Sequence, residues 1–410
     1  MDRFRWLLLG GGMVAGYAAR QMVEEGVGPG EICIVSTDSD PPYKRPPLSK
    51  EFLKDEKQEA EVFISEPGFY HEHGVELRLN TCVESVDLDA REIGAGPMTL
   101  GFENLLIATG AWPRRLNVPG ADLGGVHLLR TFDHSRAIKR AAEQASRAVV
   151  VGGGFIGMEL AAGLTLRGVE CALVYREPQV MAGRFPAPIA AYFEGYYRER
   201  GVELLAEAEV AAIQGCERVT GMTLRDGRTL PADMVVIGVG VTPQTWLFKD
   251  SPLAIDDGIL ANEYLETGIE GVWVAGDVAR YHDLIFDRDR RFEHADNAQV
   301  QGKHVAKVML GQREPFRHVP NFYSDMFDLS WNYYGDHSLA ERVVYRGEIK
   351  SGAFVAWWLN AQGRVMASFV LGIPWQEAEL AARVIEQGKV IPEHVLADET
   401  RGLEELVEAD

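Results

Sequence analysis

The sequence has 410 residues, too many for one ordinary domain, so two or three are expected. Hydrophobic residues make up 46% and charged residues 25%, a balance that excludes a disordered or fibrous chain. The net charge of −20, with an acidic excess in the tail from Asp398 to Asp410, repels phosphates and anionic lipid, which excludes nucleic acid and membrane surfaces as general partners.

The chain opens with FRWLLLGGGMVAGYAARQMVEEG, followed by EICIVS. Arg3 and Arg5 before an apolar run imitate a secretory leader. Three glycines break any apolar helix there, and Arg20, Glu24 and Glu25 follow without a cleavage site. The segment reads as strand, glycine turn, helix, strand: a βαβ unit with buried parallel strands. Gly10, Gly12 and Ala15 form a GxGxxA turn. The first glycine permits the tight turn, the second admits a pyrophosphate, and the third small residue lets helix and strand pack closely. Phosphates then meet the N–H groups at the helix N-terminus. At the end of the second strand either Asp38 or Thr37 is placed to bind ribose hydroxyls. YKRPPLSKEFL comes next, carrying Arg45 and Lys50. The region from about Val75 to Ile107 reads as antiparallel and ends in LLIATG, whose Ala108, Thr109 and Gly110 are candidate cofactor contacts.

RAVVVGGGFIGMELAAGLTLRG and ECALVY repeat the opening plan. Gly152, Gly154 and Gly157 form GxGxxG, with Phe155 and Ile156 inside the motif. One such turn is weak evidence; two, each after an apolar run and before a helix, point to two dinucleotide sites. Glu177 follows the second strand and suits the ribose hydroxyls of NADH, whereas Arg176 beside it suits a 2′-phosphate, which leaves NADPH as the less favoured reductant. ADMVVIGVGVTP, with Gly240, and VWVAGDVA are further buried strands, and the latter places Asp277 at the start of another helix. Arg288, Arg290 and Arg291 form the one short basic cluster. HADNAQVQGKHVAKVM is a helix preceded by Glu293 and His294, and its N-terminus near Ala295 presents a positive dipole end. From Pro320 the alternation in RVVYR, FVAWWL and RVMASFVLG suggests a meander of strands, closed by the helix WQEAELAARVIEQG. The four cysteines, Cys33, Cys82, Cys171 and Cys216, form no CxxC pair, so neither a local dithiol nor a metal site is expected. Cys33 and Cys171 read as core packing, and a reducing, cytoplasmic compartment fits.

Together with the glycine turns, VWVAGDVA resembles the two-dinucleotide flavoprotein reductases, which implies that Asp277 holds the flavin ribityl chain. YKRPPLSKEFL resembles the loop in apoptosis-inducing factor and ferredoxin reductases whose lysine, here Lys50, approaches flavin N5. Glu159, in GMELAAG, resembles the glutamate that pairs with that lysine. The most extensive likeness is to the monodehydroascorbate reductase family. It runs through LLLGGGMVAGYAAR, RPPLSK, AVVVGGGFIGMEL, VYREP, IAAYFEGYYRERGV, RFEHADNA and FYSDMFDLSWNYYGD.

The resemblance implies an α/β protein with two Rossmann-like dinucleotide-binding domains, one inserted in the other, and a small α+β C-terminal domain. The expected boundaries are 1–115 with 247–320 for FAD, 116–246 for NAD(H), and 321–410 for the C-terminal domain. FAD would take the first turn with Arg45, Lys50, Ala108 to Gly110, Asp277, Glu293 to Ala295 and Tyr323. NAD(H) would take the second turn with Glu159, Glu177 and Gly240. His294 is either a proton relay or a positioning residue; Tyr323 is either an aromatic near the flavin or a core aromatic, and Trp331 reads as a core aromatic. The likeness fails where the family typically reads DHAR and YSR, because this chain carries Gln299 and Asp325 instead. Two cations that could hold an anionic ascorbate radical are therefore missing. The implied activity is NADH oxidation through FAD to a small redox protein of the ferredoxin or rubredoxin kind or to a small organic acceptor. Ascorbate-radical reduction with other anchoring groups and a slow redox-sensing flavoprotein are the alternatives. The sequence leaves the oligomeric state open.

Overall fold

The computed structural model describes residues 1–66 and 68–408, so the end of the acidic tail lies outside the described residues. The chain divides into two compact units. The first comprises Met1–Arg45, Gln58–Trp112 and Thr242–Pro320; the second comprises Pro46–Lys57, Pro113–Val241 and Asn321–Asp410.

The first unit is built on strand Asp2–Leu9, which pairs in parallel with Ile32–Val35 on one side and Met98–Ile107 on the other. Leu7 stands between Cys33 and Leu105. All four residues of ICIV are buried, which explains why this strand reads as a continuous apolar run. Val272–Val274 adds in parallel to the second half of Met98–Ile107, and Glu76–Arg78 adds in parallel beyond Ile32–Val35. The antiparallel pattern expected from Val75 begins only with Ser85–Asp87 and Glu92–Ala95. Glu76–Arg78 is three half-buried residues, too short to show a period, and so its parallel pairing left no sign in the sequence.

A second difference concerns Asp277. It stands in a turn after Val272–Val274 and leads into strand Ala279–Asp283, not into a helix. ARYHD alternates buried and half-buried positions, which is the period of a strand. The helix comes later, at Ala295–Met309, and shares an apolar core with helix Met13–Glu24 through Ala15, Ala18, Ala19, Ala298, Val305 and Ala306.

In the second unit the parallel sheet has the order Glu203–Leu205, Glu170–Val174, Arg147–Val151, Met234–Ile237, Val126–Leu128. Helix Phe155–Leu166 follows its glycine turn and is buried along nearly its whole length. The C-terminal strands form a five-stranded antiparallel sheet, but not a meander. The order is Asn321–Met326, Leu329–Gly335, Val365–Leu371, Phe354–Leu359, Arg342–Arg346. Val365–Leu371 and Phe354–Leu359 are buried at every residue and take interior positions, whereas Arg342–Arg346 alternates and takes an edge. Helix Trp375–Gln387 packs its Ala378, Ala381, Val384 and Ile385 inward and stops at Gly388 in the left-handed conformation. It does not close the chain, since two short helices, Glu393–Leu396 and Leu403–Glu408, follow.

Candidate functional site

The two glycine turns are built alike. In the first, Gly10 N–H donates to Val35 O at 2.8 Å; in the second, Gly152 N–H donates to Val174 O at 2.8 Å. Each turn is thereby pinned to the end of the strand that follows its helix. Gly10 has φ +120° and Gly152 φ +119°, and a Cβ on either would collide with a carbonyl oxygen, of Ala108 and Gly238 respectively. Helices Met13–Glu24 and Phe155–Leu166 begin at Gly12 and Gly154 with no side-chain cap, so their first N–H groups are left for a ligand. Gly157 packs its Cα on Gly152 O, where a Cβ would not fit, and fully buried Ala15 holds the matching place in the first unit.

Equivalent positions then differ. Three residues beyond Val35 stands Asp38, half-buried and accepting from Tyr43 Oη at 2.6 Å, with Thr37 exposed beside it. Arg45 lies with its guanidinium 5.2 Å from the Tyr43 ring and 3.8 Å from where a Cβ on Gly12 would be. Three residues beyond Val174 stands Glu177, exposed, with Arg176 at 4.0 Å. Gly110 and Gly240 occupy matching places past the ends of Met98–Ile107 and Met234–Ile237, both with positive φ. Thr109 Oγ1 donates to Gln244 O at 2.9 Å. Ile156 is exposed at the start of its helix, and Phe155 stacks on Phe322 with centroids 4.0 Å apart.

The second unit also brings Lys50 and Glu159 together. Lys50 Nζ lies 3.2 Å from Glu159 Oε1, and the two side chains are only 4% and 1% exposed. The pair is completed by residues with no sequence signal. Ser324 Oγ donates to Glu159 Oε1 at 2.6 Å, and Ser49 Oγ donates to Oε2. Both serines are buried. Lys50 Nζ also donates to Tyr323 O at 3.3 Å and sits 4.6 Å from the Tyr323 ring centroid. Tyr323 itself is exposed, whereas Trp331 is fully buried among Phe155, Phe185 and Phe369 and is a core aromatic.

In the first unit His294 caps the backbone of helix Ala295–Met309 and packs beside Phe292 at 5.4 Å. The basic cluster is not a free patch. Arg290 is buried between Phe286 and Phe292, 4.2 Å from each ring, with Asp283 at 3.7 Å. Arg291 is paired to Glu293 at 2.7 Å and to Asp257 at 3.2 Å, and also donates to Asp277 O at 3.0 Å. Burial works against its charge, but these carboxylates hold its proton more firmly than usual. Gln299 and Asp325 are both half-buried; Ser330 Oγ donates to Asp325 Oδ1, and no cation pairs with Asp325 among the described residues. Cys33 and Cys171 are buried, and burial pushes their thiols up to about 12 and about 11. Among the described residues no cluster of three or more His, Cys, Asp or Glu could hold a metal, and no helix is long and apolar enough to cross a membrane.

Residues 4–302 match the model of the pyridine nucleotide-disulphide oxidoreductase family. The chain belongs to that family. Residues 319–404 further match the monodehydroascorbate reductase 3-like C-terminal domain. The chain is similar to peroxisomal monodehydroascorbate reductase 4 of Arabidopsis thaliana, 34% identical with 93% of this chain and 82% of that protein covered. It is as similar to monodehydroascorbate reductase of Pisum sativum, 34% identical with 93% and 94% covered. Among solved structures it resembles putidaredoxin reductase in its covalent complex with putidaredoxin, with TM-score 0.93, 27% identity and 100% and 98% of the chains covered. It also resembles the ferredoxin reductase of the CYP199A2 system from Rhodopseudomonas palustris, with TM-score 0.92, 29% identity and 99% and 100% covered. As a member of this family the protein is an NAD(P)H-dependent, FAD-containing oxidoreductase. The first turn fits FAD: an uncapped helix N-terminus, a glycine at φ +120° that a Cβ would disrupt, and a guanidinium beside Gly12 together suit a diphosphate.

Proposed function

We propose that this protein oxidises NADH and passes the electrons through FAD to a small redox protein or a small organic acceptor. FAD, when bound, accepts hydride from the nicotinamide and releases the electrons onward. The chain's own residues bind and orient. Gly10, Gly12, Ala15, Arg45 and the Ala108–Gly110 corner are assigned to the FAD diphosphate and its surroundings, and Asp38 or Thr37 to its ribose. Asp277 is assigned to the ribityl chain, and Glu293, His294, Ala295 and Tyr323 to the flavin end. The turn Gly152 to Gly157 with Gly240 is assigned to the nicotinamide dinucleotide, and Glu177 to its adenosine ribose. The exposed Glu177 carboxylate would repel a 2′-phosphate, which supports NADH over NADPH. Lys50 is assigned to flavin N5, and Glu159 pairs with that lysine at 3.2 Å in a buried place. His294 is assigned a positioning role or a proton relay.

The observation that carries the choice of acceptor is Asp325. Its carboxylate is half-buried and unpaired by any cation among the described residues, so it opposes an anionic substrate radical. The likeness to putidaredoxin reductase in complex with putidaredoxin and to the ferredoxin reductase of the CYP199A2 system supports a protein acceptor. Reduction of monodehydroascorbate radical is a second reading, favoured by the C-terminal domain match. A division into 1–115 with 247–320, 116–246 and 321–410, and a cytoplasmic setting, accompany the proposal. The test is steady-state NADH oxidation with a ferredoxin, a rubredoxin, quinones and ascorbate radical. Fast turnover with one of the first three is expected. Slow turnover with all four and a long-lived charge-transfer band would defeat the reading in favour of a sensor.

A further inference from the structure

We propose that Gln301 is a positioning residue of the FAD site, whose side-chain carbonyl locks the Gly276–Asp277 turn to the helix that begins at Ala295. Gln301 is fully buried on that helix, and its Oε1 accepts from Gly276 N–H at 2.7 Å. The surrounding contacts have no slack. Gly276 has φ +81°, and a Cβ there would lie 2.6 Å from Val14 Cγ2. Gly302, next to Gln301, faces Val14 from the other side, where a Cβ would lie 2.7 Å from Val14 O and 3.1 Å from Val14 Cα. Val14 is the second residue of the helix that leaves the first glycine turn.

Three elements therefore meet at one point: the glycine-turn helix, the Asp277 turn and the helix that starts at Ala295. Each carries candidate FAD contacts, at Gly10–Ala15, at Asp277 and at Ala295. The packing of bare Cα atoms on Val14 sets how closely the elements approach but has no direction. Two other bonds of the turn, from Ala279 N–H to Gly276 O at 2.9 Å and from Arg291 Nη1 to Asp277 O at 3.0 Å, do not reach the helix that starts at Ala295. The Gln301 bond is directional, lies between two buried groups, and fixes the orientation of the Ala275–Gly276 peptide, one residue ahead of Asp277. Asn297, one turn earlier and also buried, accepts from Tyr281 Oη at 3.4 Å and ties the strand after Asp277 to the same helix face. Gln301 is assigned no contact with cofactor and acts through Asp277. The inference rests on the proposed placement of Asp277 and Ala295 at FAD.

The experiment follows the release of FAD from diluted holoenzyme by the rise in flavin fluorescence, together with the flavin absorbance spectrum. Gln301→Leu keeps the volume and removes the acceptor; Gln301→Glu, assayed at pH ~6 where burial holds its carboxyl in the neutral acid form, keeps an accepting carbonyl oxygen. FAD release should speed about tenfold in Gln301→Leu, the equivalent of one buried hydrogen bond, with Gln301→Glu between it and the wild type. Should Gln301→Leu not fold, Gln301→Asn, too short to reach Gly276, takes its place against Gln301→Glu with the same ranking required. Release equal to wild type in the variant lacking the acceptor, or equal in it and Gln301→Glu, overturns the inference. Asp277→Ala separates the premise: unchanged release there removes Asp277 from the FAD site. Faster release there with wild-type release in Gln301→Leu defeats the inference alone.

Discussion

Lys50 and Glu159 form a buried ion pair in which both Glu159 oxygens are further bonded by serine hydroxyls. Removing one charge leaves the other buried and uncompensated, a loss of roughly 3–5 kcal/mol, whereas replacing both with apolar groups is often neutral for stability. We therefore expect Lys50→Met to lower the unfolding midpoint and Lys50→Met with Glu159→Leu to restore part of the loss, the rest reflecting the Ser49 and Ser324 hydroxyls left without their acceptor. If Lys50 serves the flavin, stopped-flow reduction by NADH stays slow in both variants; recovery of the rate along with the stability would reduce the pair to a structural one. Cysteines give a simpler expectation. Thiol reagents at pH 8 should modify two residues in the native protein, exposed Cys82 and Cys216, and four after denaturation, because burial keeps Cys33 and Cys171 protonated. Rapid native labelling of all four would contradict the packing of both parallel sheets. The resemblance pointed to the Lys50–Glu159 pair, but nothing in the sequence pointed to Ser49 and Ser324. Their bonds to Glu159 span 110 and 165 residues, and a serine has no pattern of its own.

At the scale of elements, the glycine turns were legible because a backbone at φ near +120° beside a carbonyl oxygen admits only glycine, and that demand is written at fixed spacing between two apolar runs. Gly152→Ala should destabilise the protein by more than about 1 kcal/mol, since both the conformation and the space forbid a methyl group. It should also weaken NADH binding while leaving FAD content near one per chain; isothermal titration and released-flavin analysis measure the two. Pairing between distant strands was not legible. Val365–Leu371 sits between strands that precede it in sequence, and Glu76–Arg78 joins a parallel sheet with three half-buried residues. The Asp277 turn was misread as a helix start because AGDVA resembles one locally, while the strand period of ARYHD begins only afterwards. The strand end after each helix is where the two turns diverge, so Glu177→Ala should narrow the ratio of kcat/KM for NADH over NADPH. An unchanged ratio would remove Glu177 from reductant choice.

For the whole molecule, fold and cofactor class were carried by motifs spread along nearly the entire sequence, whereas the acceptor depends on a few side chains that composition cannot rank. On the proposed reading ascorbate radical should be a poor acceptor, because this chain carries Gln299 and Asp325 in place of the arginines of the family's DHAR and YSR segments. Each missing charge-assisted hydrogen bond costs about 1.5–3 kcal/mol, roughly ten- to a hundredfold in affinity. Gln299→Arg with Asp325→Arg should raise the activity, measured as NADH oxidation driven by radical from ascorbate oxidase. Wild-type kcat/KM on the order of 10⁶ M⁻¹s⁻¹ or above would restore the plain monodehydroascorbate reductase assignment. The interleaving of the two units has a consequence for synthesis. Val272–Val274 pairs with Met98–Ile107, and the first unit ends only at Pro320, while the second needs Asn321 onward. As the chain leaves the ribosome, the strand Met98–Ile107 must wait with its apolar edge uncovered through the translation of more than a hundred further residues. Neither unit can finish folding on a nascent chain that stops short of Pro320, so this protein should lean on chaperones more during translation than its finished stability would suggest.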